Sequence, residues 1–210
     1  MSYSTTYTDE MGHTREVSIT DDDSQEALKN DYEEILRKYN SKYVMIERLQ
    51  AKAGEAMHLK VTVNAPSHYL TTNEDSSPKA CESMNVEIIC YPGYPLKALS
   101  AMYPKDHYLA SPNVFRSGNA CIDTWIPFTS SLTTVVDKLV RDMIHDPGVT
   151  RYDSMANSSV SQWHKDGVSM GRFPTIQPKL LYAPEVTALP FRRVVNKPLV
   201  THPPLPRRFH

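Results

Sequence analysis

Cysteine is scarce in this chain: only Cys81, Cys90 and Cys121 occur among 210 residues. Three widely spaced thiols make no even disulfide framework, and none stands in a CxxC or CxxH spacing, so a structural zinc site is not expected. Reduced thiols in the cytoplasm are the plain expectation. Excess charge of one sign is also missing, with 23 basic and 24 acidic side chains. Bulk charge therefore points to neither a nucleic-acid nor a membrane surface. No apolar run is long enough to cross a bilayer, and the first residues (MSYSTTYTDEMGHTREVSITDDD) lack the apolar core of a signal peptide.

What is present suits one domain with tails. Residues 1–22 are polar with little periodicity and predict a flexible arm. Asp23-Ser24-Gln25-Glu26 has the acidic cap and third-position Glu of a helix start, and Leu28, Tyr32, Ile35, Leu36 and Tyr39 follow on one apolar face. Asn40-Ser41 should end that helix.

Strand signals come next. Residues 43–49 are β-rich. Leu59, Val61 and Val63 alternate with His58, Lys60 and Thr62, as in a half-buried antiparallel strand. Val86, Ile88 and Cys90 share one face of a third strand, and residues 99–103 offer a weaker fourth. Between the second and third strands, His68 to Pro78 reads as an exposed hairpin loop.

From Tyr103 to Phe128 periodicity fails and Pro104, Pro112, Gly118 and Pro127 punctuate the chain, which predicts an irregular functional loop. Leu132, Val135, Val136, Leu139, Val140, Met143 and Ile144 then make the cleanest amphipathic pattern. It predicts a helix of about 13 residues, roughly 20 Å long, stopped by Asp146-Pro147-Gly148. A shorter helix is expected over residues 154–165. The layout is α+β, with helices against an antiparallel four-stranded meander. A domain over 23–170 would precede a tail over 171–210. Eight of the sixteen prolines lie at or beyond residue 173, so the tail should be extended or wrapped along a surface. Its Arg192-Arg193 and Arg207-Arg208 pairs suit an acidic partner or plain solvation.

The long loop carries a resemblance. Ser111-Pro112-Asn113-Val114, then Gly118-Asn119-Ala120-Cys121-Ile122-Asp123, then Trp125-Ile126-Pro127, resemble the active-site loop of ubiquitin-conjugating enzymes. That loop reads His-Pro-Asn-Val, a short turn, Gly-x-Ile-Cys-Leu-Asp and Trp-x-Pro. Tyr94-Pro95-Leu96-Lys97 is similar to the family's preceding Tyr-Pro-Phe-Lys, and Asp146-Pro147 to the Asp-Pro that closes its next helix. Asp153 and Trp163 are spaced like its gate aspartate and a helical aromatic. The likeness spans about residues 24–168. Ser111 stands where the family has histidine, the step from Cys121 to Trp125 is short, and about two residues are inserted before Ser111. Such divergence resembles the conjugating enzymes of bacterial ubiquitin-like operons, many linked to phage defence.

The resemblance implies a transferase that carries a ubiquitin-like modifier as a thioester on Cys121 and passes it to a lysine. A thiol of ordinary pKa suffices against a thioester of similar energy. Asn113 is implied either to donate to the oxyanion or to brace the loop, and Asp153 to orient or deprotonate the amine. The first helix is implied to dock the activating enzyme, and no organic cofactor or metal is implied. The implied partners are the modifier, its activating enzyme and a protein target. Plainer readings stand beside each: Cys121 as a small buried hydrophobe, Asn113 as a turn residue after Pro112, Asp153 as a helix N-cap. Cys81 and Cys90 read as structural, with Cys90 inward. His107 and Tyr108 fall where they would shape the cleft, while Trp125 and Pro127 should pack the loop. Two other classes remain: a non-catalytic binding module of the same fold, and a cysteine hydrolase, which would need a histidine base.

Overall fold

A computed structural model describes residues 1–8, 11–39, 41–71, 78–105, 107–173 and 181–182, with the backbone alone for 66–71. The chain opens not with a loose arm but with a hairpin, β1 (Ser2–Thr8) paired antiparallel to β2 (Thr14–Thr20). Tyr3, Thr5 and Tyr7 alternate half-buried along β1, and Val17 and Ile19 do so along β2. The expectation failed because Ser, Thr and Tyr give a strand pattern with little hydropathy contrast. Helix α1 (Asp21–Tyr39) follows at once. Thr20 Oγ1 accepts the Asp23 amide at 3.2 Å and closes its first turn. Three aspartates at this end and Arg37 and Lys38 at the other match the helix dipole. Leu28, Ile35 and Tyr39 are buried, whereas Leu36 is exposed at the edge of the apolar stripe.

The main sheet is an antiparallel meander of β3 (Val44–Leu49), β4 (Met57–Thr71), β5 (Lys79–Cys90) and β6 (Ser100–Met102), in that order. A short β7 (Tyr108–Leu109) pairs with the far end of β4. The register sets Leu59 opposite Ile88, Val61 opposite Val86 and Met57 opposite Cys90, so one face is wholly apolar. On the other face Lys60 meets Glu47 at 3.5 Å. The loop expected over His68 to Pro78 is shorter than the sequence suggested, because β4 runs on to Thr71 and β5 begins at Lys79. Register shifts between Asn64 and His68, and that break interrupts the alternation on which the boundary was read.

Helix α2 (Leu132–Met143) covers the sheet's apolar face with Leu132, Val136, Leu139, Val140 and Met143. Ser131 and Thr134 form a reciprocal capping box at its start. Asp137 ties α2 to its neighbours, accepting from Lys38 Nζ at 2.8 Å, Tyr39 Oη at 2.6 Å and Tyr182 Oη at 3.1 Å. The last helix lies later than expected. Asn157 caps a 3-10 turn at Ser158–Val160, and α3 runs over Ser161–Ser169. Of the expected tail, Leu181 is fully buried and Tyr182 packs on Tyr39 with ring centroids 5.5 Å apart. The paired arginines at 192–193 and 207–208 lie outside the described residues. The architecture is α+β, with few helices against an antiparallel sheet. Among the described residues no helix is long and apolar enough to cross a membrane.

Candidate active site around Cys121

The irregular loop is held by backbone pairing that no hydropathy pattern announces. Met102 bridges to Asn119 and Val114 to Ala120, so the segment doubles back beside β6. Gly118 makes the return at φ 86°, and an added Cβ there would stand 3.0 Å from the Tyr103 carbonyl. The Ala120 amide donates to the Ala101 carbonyl at 2.9 Å, and the Cys121 amide to the Asn113 carbonyl at 2.7 Å. Cys121 thus sits where the loop leaves the sheet, half-buried rather than in the core. The small-hydrophobe alternative does not describe it. It does describe Cys90, which faces the core and whose thiol is pushed up to about 12 by burial. Cys81 is half-buried on β5, and burial raises its thiol too.

Asn113 lies 3% exposed. Its Nδ2 donates to Asp142 Oδ1 at 3.0 Å and to the Val149 carbonyl at 3.2 Å, and its Oδ1 accepts the Arg151 amide at 3.4 Å. This is the bracing geometry, not a free donor. Ser111, in the histidine's place, donates through Oγ to the same Asp142 oxygen at 2.7 Å. Burial pushes the Asp142 carboxyl up to about 6, against the downward pull of the Ser111 and Asn113 hydrogen bonds and of the Lys138 charge. Pro112 contributes its carbonyl to the amides of Ala156 and Asn157, at 2.8 and 3.1 Å, which fastens the approach to α3 against the loop.

Asp153 is exposed and opens no helix; the nearest cap is Asn157. Its Oδ1 lies 3.7 Å from Arg151 Nε, and Arg151 Nη1 lies 3.9 Å from Asp123 Oδ1. Arg151 therefore links the residues singled out from the sequence: its amide meets Asn113, whose carbonyl holds Cys121, and its guanidinium faces Asp153. Trp125 does pack the loop, donating Nε1 to the Pro95 carbonyl at 2.8 Å with its ring 5.8 Å from that of Tyr94. His107 is exposed, and Tyr108 is buried on β7, so Tyr108 belongs to the core rather than to a cleft wall.

Sequence reasoning passed over Lys138. Its Nζ donates to the Cys121 carbonyl at 2.8 Å and to Asp123 Oδ2 at 2.5 Å. Asp123 itself is left-handed at φ 66°. Beside this contact an open cleft of about 350 Å³ is lined by Asp123, Thr134, Lys138, Arg141, Val149 and Arg151. The one available signal was the four-residue spacing of Lys138 and Asp142 on one side of α2.

Among the described residues no histidine hydrogen-bonds to the Cys121 thiol. His58 meets Glu87 at 3.0 Å, His164 meets the Tyr152 hydroxyl at 2.7 Å, and His145 stacks on Phe173. No group of three or more His, Cys, Asp or Glu side chains among them is arranged to hold a metal ion. The sequence matches no protein-family model, and no curated protein matches it at a significant level.

Proposed function

We propose that the chain is a ubiquitin-conjugating-type enzyme that accepts a ubiquitin-like modifier from an activating enzyme as a thioester on Cys121, then transfers it to an amine of a protein target. The observation that carries this reading is the Cys121 loop. Cys121 is partly exposed, its amide bonded to the Asn113 carbonyl and its carbonyl to Lys138, a residue that lines an open cleft. Asn113 of the Ser-Pro-Asn segment supplies the carbonyl that holds the Cys121 amide, and Trp125 packs on Tyr94 and Pro95. The α+β meander under helix α2 is compatible with a ubiquitin-conjugating-like fold without being specific to it, and the order of the helices does not clearly match. Bacterial ubiquitin-like operons remain the setting the divergent motif suggests.

In loading, the Cys121 thiolate attacks the modifier's thioester carbonyl carbon. A new S–C bond forms, the old one breaks, and the activating enzyme's thiolate leaves; one proton is lost at Cys121 and one regained on the departing thiol. Energies on the two sides are similar, so no strongly activated nucleophile is required. In discharge, an amine nitrogen attacks the same carbon, Cys121 leaves as thiolate, and the amine gives up a proton. Only about 0.04% of an ordinary lysine is neutral at pH 7, so a carboxylate near the incoming amine matters. Asp153, exposed beside Arg151, fills that role in this reading.

A cysteine hydrolase would need a histidine base, and His58, His145 and His164 are engaged with Glu87, Phe173 and Tyr152 instead. A binding module of the same fold is the second reading. The deciding experiment incubates the chain with an activating enzyme, its ubiquitin-like protein and ATP, followed by non-reducing gels. A reductant-sensitive adduct is expected, absent in Cys121→Ala and reductant-resistant in Cys121→Ser. No adduct, with a charged activating enzyme shown to bind the chain, would leave the binding module.

A further inference from the structure

Helix α2 presents, one turn apart, two side chains that between them hold both backbone groups of Cys121. Asp142 acts at one remove: it anchors Asn113 Nδ2 at 3.0 Å, and the Asn113 carbonyl accepts the Cys121 amide at 2.7 Å. Lys138 acts directly, with Nζ 2.8 Å from the Cys121 carbonyl oxygen and 2.5 Å from Asp123 Oδ2. One of those two acceptors belongs to a residue with an uncommon backbone conformation. Asp123 holds φ 66°, a left-handed conformation uncommon outside glycine and reached more readily by aspartate and asparagine than by most residues. The ammonium bonds on both sides of Ile122, to the Cys121 carbonyl and to the Asp123 carboxylate.

The Lys138 side chain is only 16% exposed. Holding a long, otherwise mobile lysine in one place costs side-chain entropy, and partial burial costs solvation. A surface lysine would gain little from one carboxylate alone. Here a backbone carbonyl completes the shell, so the cation is set into the loop rather than resting on it.

We propose that Lys138 is a positioning residue for acyl exchange at Cys121. By fixing the Cys121 carbonyl and the left-handed Asp123 beside it, it keeps the backbone that carries the thiol in one arrangement, before and after the modifier is attached. Lys138 neither attacks nor carries a proton; it acts through the backbone. This rests on the reading of Cys121 as the acyl acceptor. Attack between two proteins requires alignment within a fraction of an ångström, whereas a small alkylating reagent requires only access. Releasing the loop therefore has opposite effects on the two reactions.

The test uses the full chain with Lys138→Met, Lys138→Arg and Asp123→Asn. Alkylation by iodoacetamide is followed at Cys121 by mass spectrometry, with Cys81 as the internal reference. Lys138→Met is expected to speed alkylation of Cys121 at least about twofold, as local opening exposes it, and to leave Cys81 unchanged. The same variant is expected to lower the maximal rate of thioester loading about tenfold, the size of one charge-assisted hydrogen bond, with KM for the charged activating enzyme unaltered. Lys138→Arg should restore most of both, and Asp123→Asn should add little on top of Lys138→Met. Unchanged alkylation in Lys138→Met overturns the proposal. Slower alkylation also overturns it, because the ammonium would then act on the thiol and not through the backbone. A loss of loading that Arg fails to restore and that tracks a lower melting temperature reduces Lys138 to a structural tie. If the unsubstituted chain does not load at all, the conjugating reading falls, and alkylation alone still decides whether Lys138 governs the Cys121 loop.

Discussion

Both amide hydrogens of Asn113 are already committed, one to the buried Asp142 carboxylate and one to the Val149 carbonyl. An oxyanion donor must have a hydrogen aimed at the place where charge develops, and Asn113 would have to abandon Asp142 to supply one. Its contribution is to keep the Cys121 amide where the loop needs it. Asn113→Ala should therefore destabilise the fold by about 2–3 kcal/mol, since a buried carboxylate loses a donor and the half-buried Val149 carbonyl loses another. Loading and discharge should slow by similar factors. Asp153→Asn should behave differently, leaving loading and stability intact and slowing discharge to free lysine, because that side chain is exposed and meets only Arg151. Single-turnover assays of the two half-reactions, alongside urea unfolding, check both. If Asn113→Ala slows discharge alone, the donor role is right and the bracing role is wrong. Cys121, Asn113 and Asp153 were singled out because a motif resemblance sets their spacing. Lys138 was not, because a lysine on the flank of an amphipathic helix has the look of a solvated charge. Nothing local to α2 says that a loop seventeen residues back will lay its carbonyl there.

At the scale of elements, the N-terminal hairpin is seated by one aromatic ring. Tyr3 lies over Gly93, where an added Cβ would come within 2.8 Å of the ring, and Lys97 Nζ stands 5.5 Å from its centroid. The Tyr3 hydroxyl donates to Asp21 at 3.0 Å, and the Asp21 amide donates back to the Met1 carbonyl at 2.9 Å. Gly93→Ala meets two costs: a left-handed φ of 92°, and the collision with Tyr3. Together they should remove about 2–4 kcal/mol. Tyr3→Ala clears the collision but not the backbone strain, so the double variant should be more stable than the sum of the single effects by about 1 kcal/mol or more. Chemical denaturation of the four proteins measures that coupling, and strict additivity would mean that the hairpin does not rest on Gly93 in solution. The sequence hid this element for a physical reason. Strands β3 to β5 and helices α1 and α2 declare themselves because burial separates Val, Ile and Leu from charged neighbours at period 2 or 3.6. The hairpin only half-buries its inward residues, and on β1 these are Tyr and Thr, so Val17 and Ile19 on β2 are too few to give its periodicity amplitude. The late start of α3 has a similar origin: Asn157, not the earlier Asp153, caps the 3-10 turn that leads into it, and both residue types suit a cap.

For the whole molecule, two buried titratable groups pull stability in opposite directions over the same pH range. Asp142, 1% exposed between α2 and the loop, has its carboxyl raised by burial to about 6. His164, fully buried on α3 against Tyr152, has its imidazole lowered by burial to about 4. For Asp142 the folded state binds the proton more tightly than the unfolded chain, so stability increases as pH falls through 6 toward the unfolded value near 3.8. For His164 the unfolded chain binds the proton first, so stability is lost as pH falls from 6.5 toward 4. At 1.36 kcal/mol per pKa unit, each effect spans about 3 kcal/mol, and in the unaltered chain they largely offset. Removing either should unmask the other. Asp142→Asn keeps an acceptor for Ser111 and Asn113 without the buried charge. It should be at least as stable as the parent at neutral pH, then lose its advantage steadily as the solution is acidified to pH 4.5. His164→Phe keeps an aromatic in the cluster with Phe173, and relative to the parent it should gain stability across the same acidification. Urea unfolding from pH 7.5 to 4.5 yields the two variant-minus-parent curves, which should slope in opposite senses. A flat curve for Asp142→Asn would mean that water reaches that carboxylate, and the rigid bridge from α2 through Asn113 to Cys121 would be open to solvent.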